Sequence, residues 1–428
     1  MLNPSEKEQI ISLIKKEVVP AIGCTEPIAV SLCVAKATEE LGELPDNIKV
    51  SLSANILKNA MGVGIPGTKM VGLPIAIALG ASIGKSEYGL QVLKDLTPEN
   101  VEAGRKYISE KRIEIALKEN IEDILYIEVR CTKGNNKALA IIRGNHTNFS
   151  YISKNGETIY SENEKKENEK NGNEDIMLTF PMVYELSTTA PLKDIQFILE
   201  AAELNRKASE LSAQGNYGHN VAKTVTGKYG KQILGETMLS NMMSYTAAAC
   251  DARMDGAMIP VMSNSGSGNQ GITATLPVLS YAEDTNCTEE ALIRALMLSH
   301  LTVVYIKQKL GRLSALCGCV AAATGASCGI TYLMGGSYNQ ITFAVKNMVG
   351  NITGMICDGA KPSCALKISS GVSTAVLSAI MAMENEVVSS QEGIVDDDVD
   401  KTIENLTSIG SAGMQETDKL VLKIMTSK

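Results

Sequence analysis

The residues best equipped for chemistry are the two thiols of Cys357-Asp-Gly-Ala-Lys-Pro-Ser-Cys364. Gly359 and Pro362 make the stretch between them a turn, so two thiolates can converge on one point. A third thiol from the upstream segment that holds Cys317, Cys319 and Cys328 would complete three-point ligation of a soft metal or an iron–sulfur cluster. Free cysteine is also among the most buried side chains, and a packed core accounts for the same residues. C-x6-C is neither a zinc nor a ferredoxin spacing, and spacing alone leaves both readings open.

Cys24, in Gly23-Cys-Thr-Glu-Pro27, is the next candidate. Thr25 or Glu26 is expected to cap an apolar helix over residues 28–41, with Pro27 in its first turn. Cys24 then lies in an exposed turn ahead of a helix N-terminus, where the macrodipole favours a thiolate. A structural thiol is the plainer alternative.

Two polar islands follow. Ser263-Asn-Ser-Gly-Ser-Gly-Asn-Gln-Gly271 reads as a loop whose amides can form a nest for a substrate carboxylate. Gln214-Gly-Asn-Tyr-Gly-His219-Asn220 offers His219 as acid, base or donor. His300 is expected to be a core histidine and His146 a loop or strand-end residue. The glycine loop before Thr68-Lys69 reverses the order a phosphate-binding loop needs, which rejects nucleotide binding but leaves close approach to a small anion. Gly325-Ala-Ser-Cys-Gly329 copies a nucleophile elbow, yet the last histidine precedes its serine, so the triad order fails.

These residues need elements to hold them, and 428 residues are enough to bury a large core. Aromatics are only 4% with no Trp, whereas Gly numbers 36 and Met 19, so the interior is built from small and aliphatic side chains. A net charge of −8 without a basic stripe argues against nucleic acid. The polar start is no secretory signal, and ten cysteines in such a chain point to metal or catalysis in a cytoplasmic setting. Residues 316–335 are uncharged and long enough to span a bilayer, but their small, polar-flecked composition predicts a buried helix–turn–helix instead.

A Ser5–Glu8 capping box starts a first helix that stops near Pro20. A strand is expected over 48–56, a small-residue helix over 71–84 and a charged helix over 99–119. Alternation from 124 to 160, with turns at Gly134 and Asn155-Gly156, reads as β, and 161–175 as a polar linker. Beyond 192 the helices fall at 193–211, 221–250, 289–310, 313–325, 339–357 and 371–383. The fold class is therefore α+β and mostly helical. A small N-terminal α+β portion (1–175) with a β-rich segment and linker precedes a large all-helical domain (176–428).

Taken together, the Gly23–Pro27 motif, the Ser263–Gly271 motif, the Cys317 segment and the Cys357–Cys364 loop resemble the L-cysteine desulfidase family, related to the α chain of iron–sulfur L-serine dehydratases. The resemblance covers essentially the whole chain. It implies an oxygen-sensitive [4Fe-4S] cluster with one open iron, held by Cys317, Cys357 and Cys364, and a functional cysteine at Cys24. Choosing Cys317 over Cys319 and Cys328 rests on that resemblance. The implied reaction eliminates sulfide from L-cysteine to give pyruvate, ammonia and hydrogen sulfide, the open iron acting as a Lewis acid. No Schiff-base lysine can be placed, which is consistent with chemistry without pyridoxal phosphate.

Cys24 is expected to act as base or as a temporary fourth ligand. Substrate binding is assigned to Ser263, Asn264, Ser265, Gly266 and Asn269, with Asn55, Lys58 and His219 as further candidates. The competing readings are an iron–sulfur L-serine dehydratase and a non-enzymatic helical protein with structural zinc, which needs four closed ligands. The expected partner is a small amino acid, not nucleic acid or membrane, and a homodimer is one assembly the sequence allows.

Overall fold

A computed structural model of the chain describes residues 2–119, 121, 123–162 and 175–427. The first half runs α1 (Pro4–Glu17), β1 (Pro20–Ile22), α2 (Thr25–Leu41), β2 (Asn47–Leu52), α3 (Ala54–Ala60), β3 (Gly64–Ile65), β4 (Met70–Val71), α4 (Leu73–Ser82) and α5 (Pro98–Ser109). Five strands follow: β5 (Ile113–Leu117), β6 (Tyr126–Lys133), β7 (Asn136–Arg143), β8 (Phe149–Lys154) and β9 (Glu157–Ser161). They join β2 in a six-stranded sheet of order β5-β2-β6-β7-β8-β9, in which only β2 and β5 pair in parallel. Ile127, Val129 and Cys131 of β6 alternate inward with Ala138, Ala140 and Ile142 of β7, and their shared core includes Ile28, Leu32 and Ala35 of α2.

Several expectations shift. The first capping box is made by Asn3 and Glu6, not Ser5 and Glu8. The strand expected to reach residue 56 ends at Leu52, and α3 takes over. The helix expected to reach 119 ends at Ser109, where Lys111 turns with φ 56°. Ile113 and Ile115 then alternate as an edge strand, a tertiary pairing that overrides helical charge patterning. The polar stretch 161–175 lies almost wholly outside the described residues.

The second half contains α6 (Phe180–Thr189), α7 (Leu199–Gln214), α8 (Met238–Met254), β10 (Pro260–Met262), α9 (Gly268–Asp284) and α10 (Glu289–Leu310). It continues with α11 (Gly318–Leu333), α12 (Tyr338–Ile352), α13 (Cys364–Met383), α14 (Val399–Ser408) and α15 (Gln415–Thr426). Helix α11 is the hub, packed against α9, α10, α12 and α13. A Cβ on its Gly325 would come within 2.4 Å of the Ser299 carbonyl oxygen, and one on Gly329 within 2.9 Å of that of Ala295. Small residues let these backbones close up, which is why an interior almost without aromatics still packs.

The uncharged run 316–335 is thus one buried helix rather than a helix–turn–helix. Among the described residues α13 is long and apolar enough to cross a membrane by length and composition, and half of its apolar window is buried within the protein. The helix expected over 221–250 is broken at Gly227 and Gly235 into Val221–Thr226, Lys228–Leu234 and α8. The last expected helix begins not at Gly371 but at Cys364.

The first 22 residues are tied to the helical half. Ile10, Leu13 and Ile14 of α1 join the helical core, and β1 pairs antiparallel with β10. Helix α9 crosses β10 so closely that a Cβ on Gly271 would lie 1.9 Å from the Met262 carbonyl oxygen. Gly271→Ala is therefore expected to cost about 1–3 kcal/mol of stability through overpacking. A urea midpoint equal to that of the parent protein would contradict this approach.

Candidate active site

The turn before α2, the end of α8, the start of α9, the α10–α11 loop and the loop before α13 meet at one cavity of about 100 Å³. Cys317, Cys357 and Cys364 all line it. An isolated antiparallel bridge pairs Leu316 with Ile356. Its two hydrogen bonds run from the Cys317 amide to the Met355 carbonyl (2.9 Å) and from the Cys357 amide to that of Ala315 (2.7 Å). Cys317 and Cys357 are therefore diagonal neighbours on one face of the bridge, a relation that spans roughly 7–8 Å between backbones. Cys317 also occupies the N-cap position of α11, and Cys364 opens α13.

Three thiols at one cavity wall are the donor set a polynuclear group would use. Among the described residues no three His, Cys, Asp or Glu side chains are placed to hold a single metal ion. Two thiolates on one zinc lie at most about 4.6 Å apart, twice the Zn–S distance. Burial pushes the Cys317 thiol up to about 12, with the neighbouring Cys357 adding to it, and burial raises Cys364 as well. Thiolate charge gathers here only against a compensating positive centre. Of the other two thiols of the segment, Cys319 lines the same cavity but is buried and donates to the Lys367 carbonyl at 3.3 Å, and Cys328 is buried in the core beside Thr302. In the loop itself, partial burial works to raise the Asp358 carboxyl, but hydrogen bonds from Lys361 and Lys367 hold it down at about 2.

Cys24 is the N-cap residue of α2, one position ahead of the expected cap, and it is buried rather than exposed. Burial and then the adjacent Glu26 carboxylate push its thiol well above the ordinary value, so the resting group is a thiol and not the expected thiolate. It donates to Glu26 Oε2 at 3.0 Å, as does Thr25 Oγ1 at 3.0 Å. Asn59 Nδ2 donates to Glu26 Oε1 at 3.2 Å. Burial would raise Glu26, but its electrostatic pairing with His146 and the hydrogen bonds from Cys24, Thr25 and its own backbone hold it below its ordinary value. His146 is itself buried, close to Gly266, with its own value lowered by burial.

The opposite charge comes from helix ends. Arg253, in the last turn of α8, donates to Asn269 Oδ1 at 2.9 Å and to the Gly23 carbonyl at 3.0 Å. Lys307 of α10 reaches the Arg312 carbonyl at 3.0 Å, and burial pulls its ammonium down to about 8 while the thiols of Cys357 and Cys317 work against that.

Of the residues assigned from sequence, Cys24, Gly266, Asn269, Cys317, Cys357 and Cys364 line the cavity. Ser263, Asn264 and Ser265 lie beside it with their side chains committed to the fold. Ser263 donates to the Val19 carbonyl at 2.6 Å, Asn264 to the His300 carbonyl at 3.1 Å, and Ser265 to Asn264 Oδ1 at 2.8 Å. His300, which also pairs with Thr275 at 3.0 Å, is the core histidine expected. The stretch is not a loop throughout, because Gly268 already begins α9. Lys58 is buried in an ion pair with Asp418, and Asn55 lines a separate cleft that Asp418 also lines. His219 is exposed, next to Asp251. No site role is expected from sequence for Glu26, Asn59, Arg253 or Lys307, and Gln270 enters only as part of the Ser263–Gly271 stretch. A signal existed for two of them. Lys307 follows His300, Val303 and Val304 on one buried face, and Arg253 follows Thr246, Ala249 and Cys250 in the same i, i+3, i+4, i+7 pattern.

Comparison with known proteins gives one family and many full-length relatives. The family described as serine dehydratase alpha chain matches residues 87–423. A UPF0597 protein of Bacteroides fragilis is 66% identical over 427 residues, covering 100% of both chains. Those of Porphyromonas gingivalis and Oleidesulfovibrio alaskensis are 57% and 46% identical, again over 100% of both chains.

Proposed function

The chain belongs to the UPF0597 family and carries a serine dehydratase alpha-chain domain, and from that premise we propose that it is an iron–sulfur lyase that eliminates sulfide from L-cysteine. The observation that supports this reading is the meeting of Cys317, Cys357 and Cys364 with the Cys24–Glu26 pair in one cavity. A [4Fe-4S] cluster on those three thiolates would keep one iron open and supply a Lewis acid toward the substrate's β-sulfur.

The chain's own residues handle the proton. Cys24 Sγ takes the α-proton while the thiol's own proton passes to Glu26 Oε2, along the hydrogen bond already present between them. The Cα–H electron pair becomes the Cα=Cβ bond, and the Cβ–S bond breaks with its pair leaving on sulfur. Aminoacrylate tautomerises to the imine, and water converts that to pyruvate and ammonia. The buried cations Arg253 and Lys307 stabilise the negative charge that builds on the substrate. Free thiols and an oxygen-sensitive group suit a reducing, cytoplasmic setting.

L-Serine is the second reading, favoured by the family's description, with water leaving in place of sulfide. Anaerobic reconstitution with iron and sulfide, followed by assays on both amino acids, separates the two. Sulfide and pyruvate in equal amounts from L-cysteine are expected. Pyruvate from L-serine alone would change the substrate and keep the site, and product from neither would overturn the lyase reading.

A further inference from the structure

Buried polar atoms without a partner are scarce in folded proteins and call for an explanation. Among the described residues three such atoms line the cavity: Arg253 Nε, Asn59 Oδ1 and Gln270 Oε1. Their residues are 2%, 7% and 3% exposed. Both amide orientations are fixed by partners that can only accept. Asn59 Nδ2 donates to the Glu26 carboxylate at 3.2 Å, and Gln270 Nε2 to the Asn264 carbonyl at 2.9 Å. These three atoms therefore offer one cationic donor and two amide acceptors.

We infer that these atoms read both charged ends of a free α-amino acid, Arg253 at the start of α9 taking the carboxylate and the side-chain oxygens of Asn59 and Gln270 taking the ammonium. Arg253 is preorganised for this by its bonds to Asn269 and to the Gly23 carbonyl. Gly268 leaves room for it, since a Cβ there would lie 2.3 Å from Arg253 Nε. The guanidinium thus rests over the first turn of a 17-residue helix, where the dipole adds to its charge. One chain of contacts runs from Arg253 to Gly23, through Cys24 to Glu26, and on to Asn59. The two receptors flank Cys24, the group that must meet the Cα–H bond. This inference rests on the lyase reading for the cavity's use, but its test does not.

L-2-Aminobutyrate has the shape of cysteine with a methyl in place of the thiol, and no leaving group. Isothermal titration of the full-length protein, as isolated and after anaerobic reconstitution, would compare it with n-propylamine and with butyrate. Each of the latter lacks one charged end and is expected to bind at least about 10-fold more weakly. Arg253→Met is expected to weaken aminobutyrate by about 10–100-fold and leave propylamine unchanged, and Asn59→Leu to spare butyrate in the same way. Arg253→Lys keeps the charge if the methionine variant fails to fold, and the ligand series on the parent protein needs no variant at all. Equal binding of the three ligands, or no binding of aminobutyrate, would overturn the inference. Selective binding by a protein that releases no product from L-cysteine or L-serine would keep it and remove the lyase reading. Turnover of L-cysteine with affinities blind to charge would do the reverse.

Discussion

Cys357→Ala protein, reconstituted anaerobically with iron and sulfide, is expected to keep no stable cluster and to release neither sulfide nor pyruvate above background. Cys357 and Cys317 are the diagonal pair on the Leu316–Ile356 bridge, so removing either thiol leaves two of the three proposed ligands. A cubane with two missing protein ligands is exposed to solvent and oxygen. The informative controls are the neighbouring thiols. Cys319 lines the cavity but donates to the Lys367 carbonyl, and Cys328 is a core side chain, so Cys319→Ala and Cys328→Ala are both expected to retain iron. Iron content and the visible absorption band read the result without reference to turnover. Unchanged iron in Cys357→Ala, or its loss in Cys319→Ala, would break the ligand assignment.

Cys24→Ser gives the second large effect, a fall in kcat of about 10²–10⁴-fold with iron content unchanged. Serine can still donate to Glu26 Oε2, so the hydrogen bond and the N-cap of α2 survive. What it lacks is a sulfur that can take a proton from carbon as its own passes to Glu26. Cys24 is a buried thiol beside a carboxylate, and in the proposed mechanism the pair is the acid–base unit. Full turnover by the serine protein would remove Cys24 from the mechanism, and a parallel loss of iron would make it a ligand instead of a base.

Much of this architecture is legible in the sequence. The β segment from 124 onward alternates cleanly and folds as read, and the helix Glu289–Leu310 falls on its expected bounds. The half-charged stretch 99–119 misleads because its second half is decided by pairing with β2, a partner more than sixty residues away. The polar run at 263–271 misleads differently. Its serines look free to bind a ligand, but Ser263 and the Ser265 amide spend their hydrogen bonds on the Val19 and Glu17 carbonyls, tying the run to the end of α1 and its link to β1. Arg253 and Lys307 are invisible by motif, since a basic residue in the last turn of a helix ordinarily answers the helix dipole. Only their place on an otherwise apolar face betrays them.

The bridge between Leu316 and Ile356 has one more consequence. Two of the three thiol-bearing segments are clasped to each other by backbone hydrogen bonds. A zinc finger collapses without its ion because the ion is its core. Here the socket is closed by the chain itself, so on the proposed function folding and loading are expected to be separate events. A molecule that lost its cluster to oxygen would then stay folded and be refilled where it stands, and damage to the cofactor would call for repair rather than replacement of the protein.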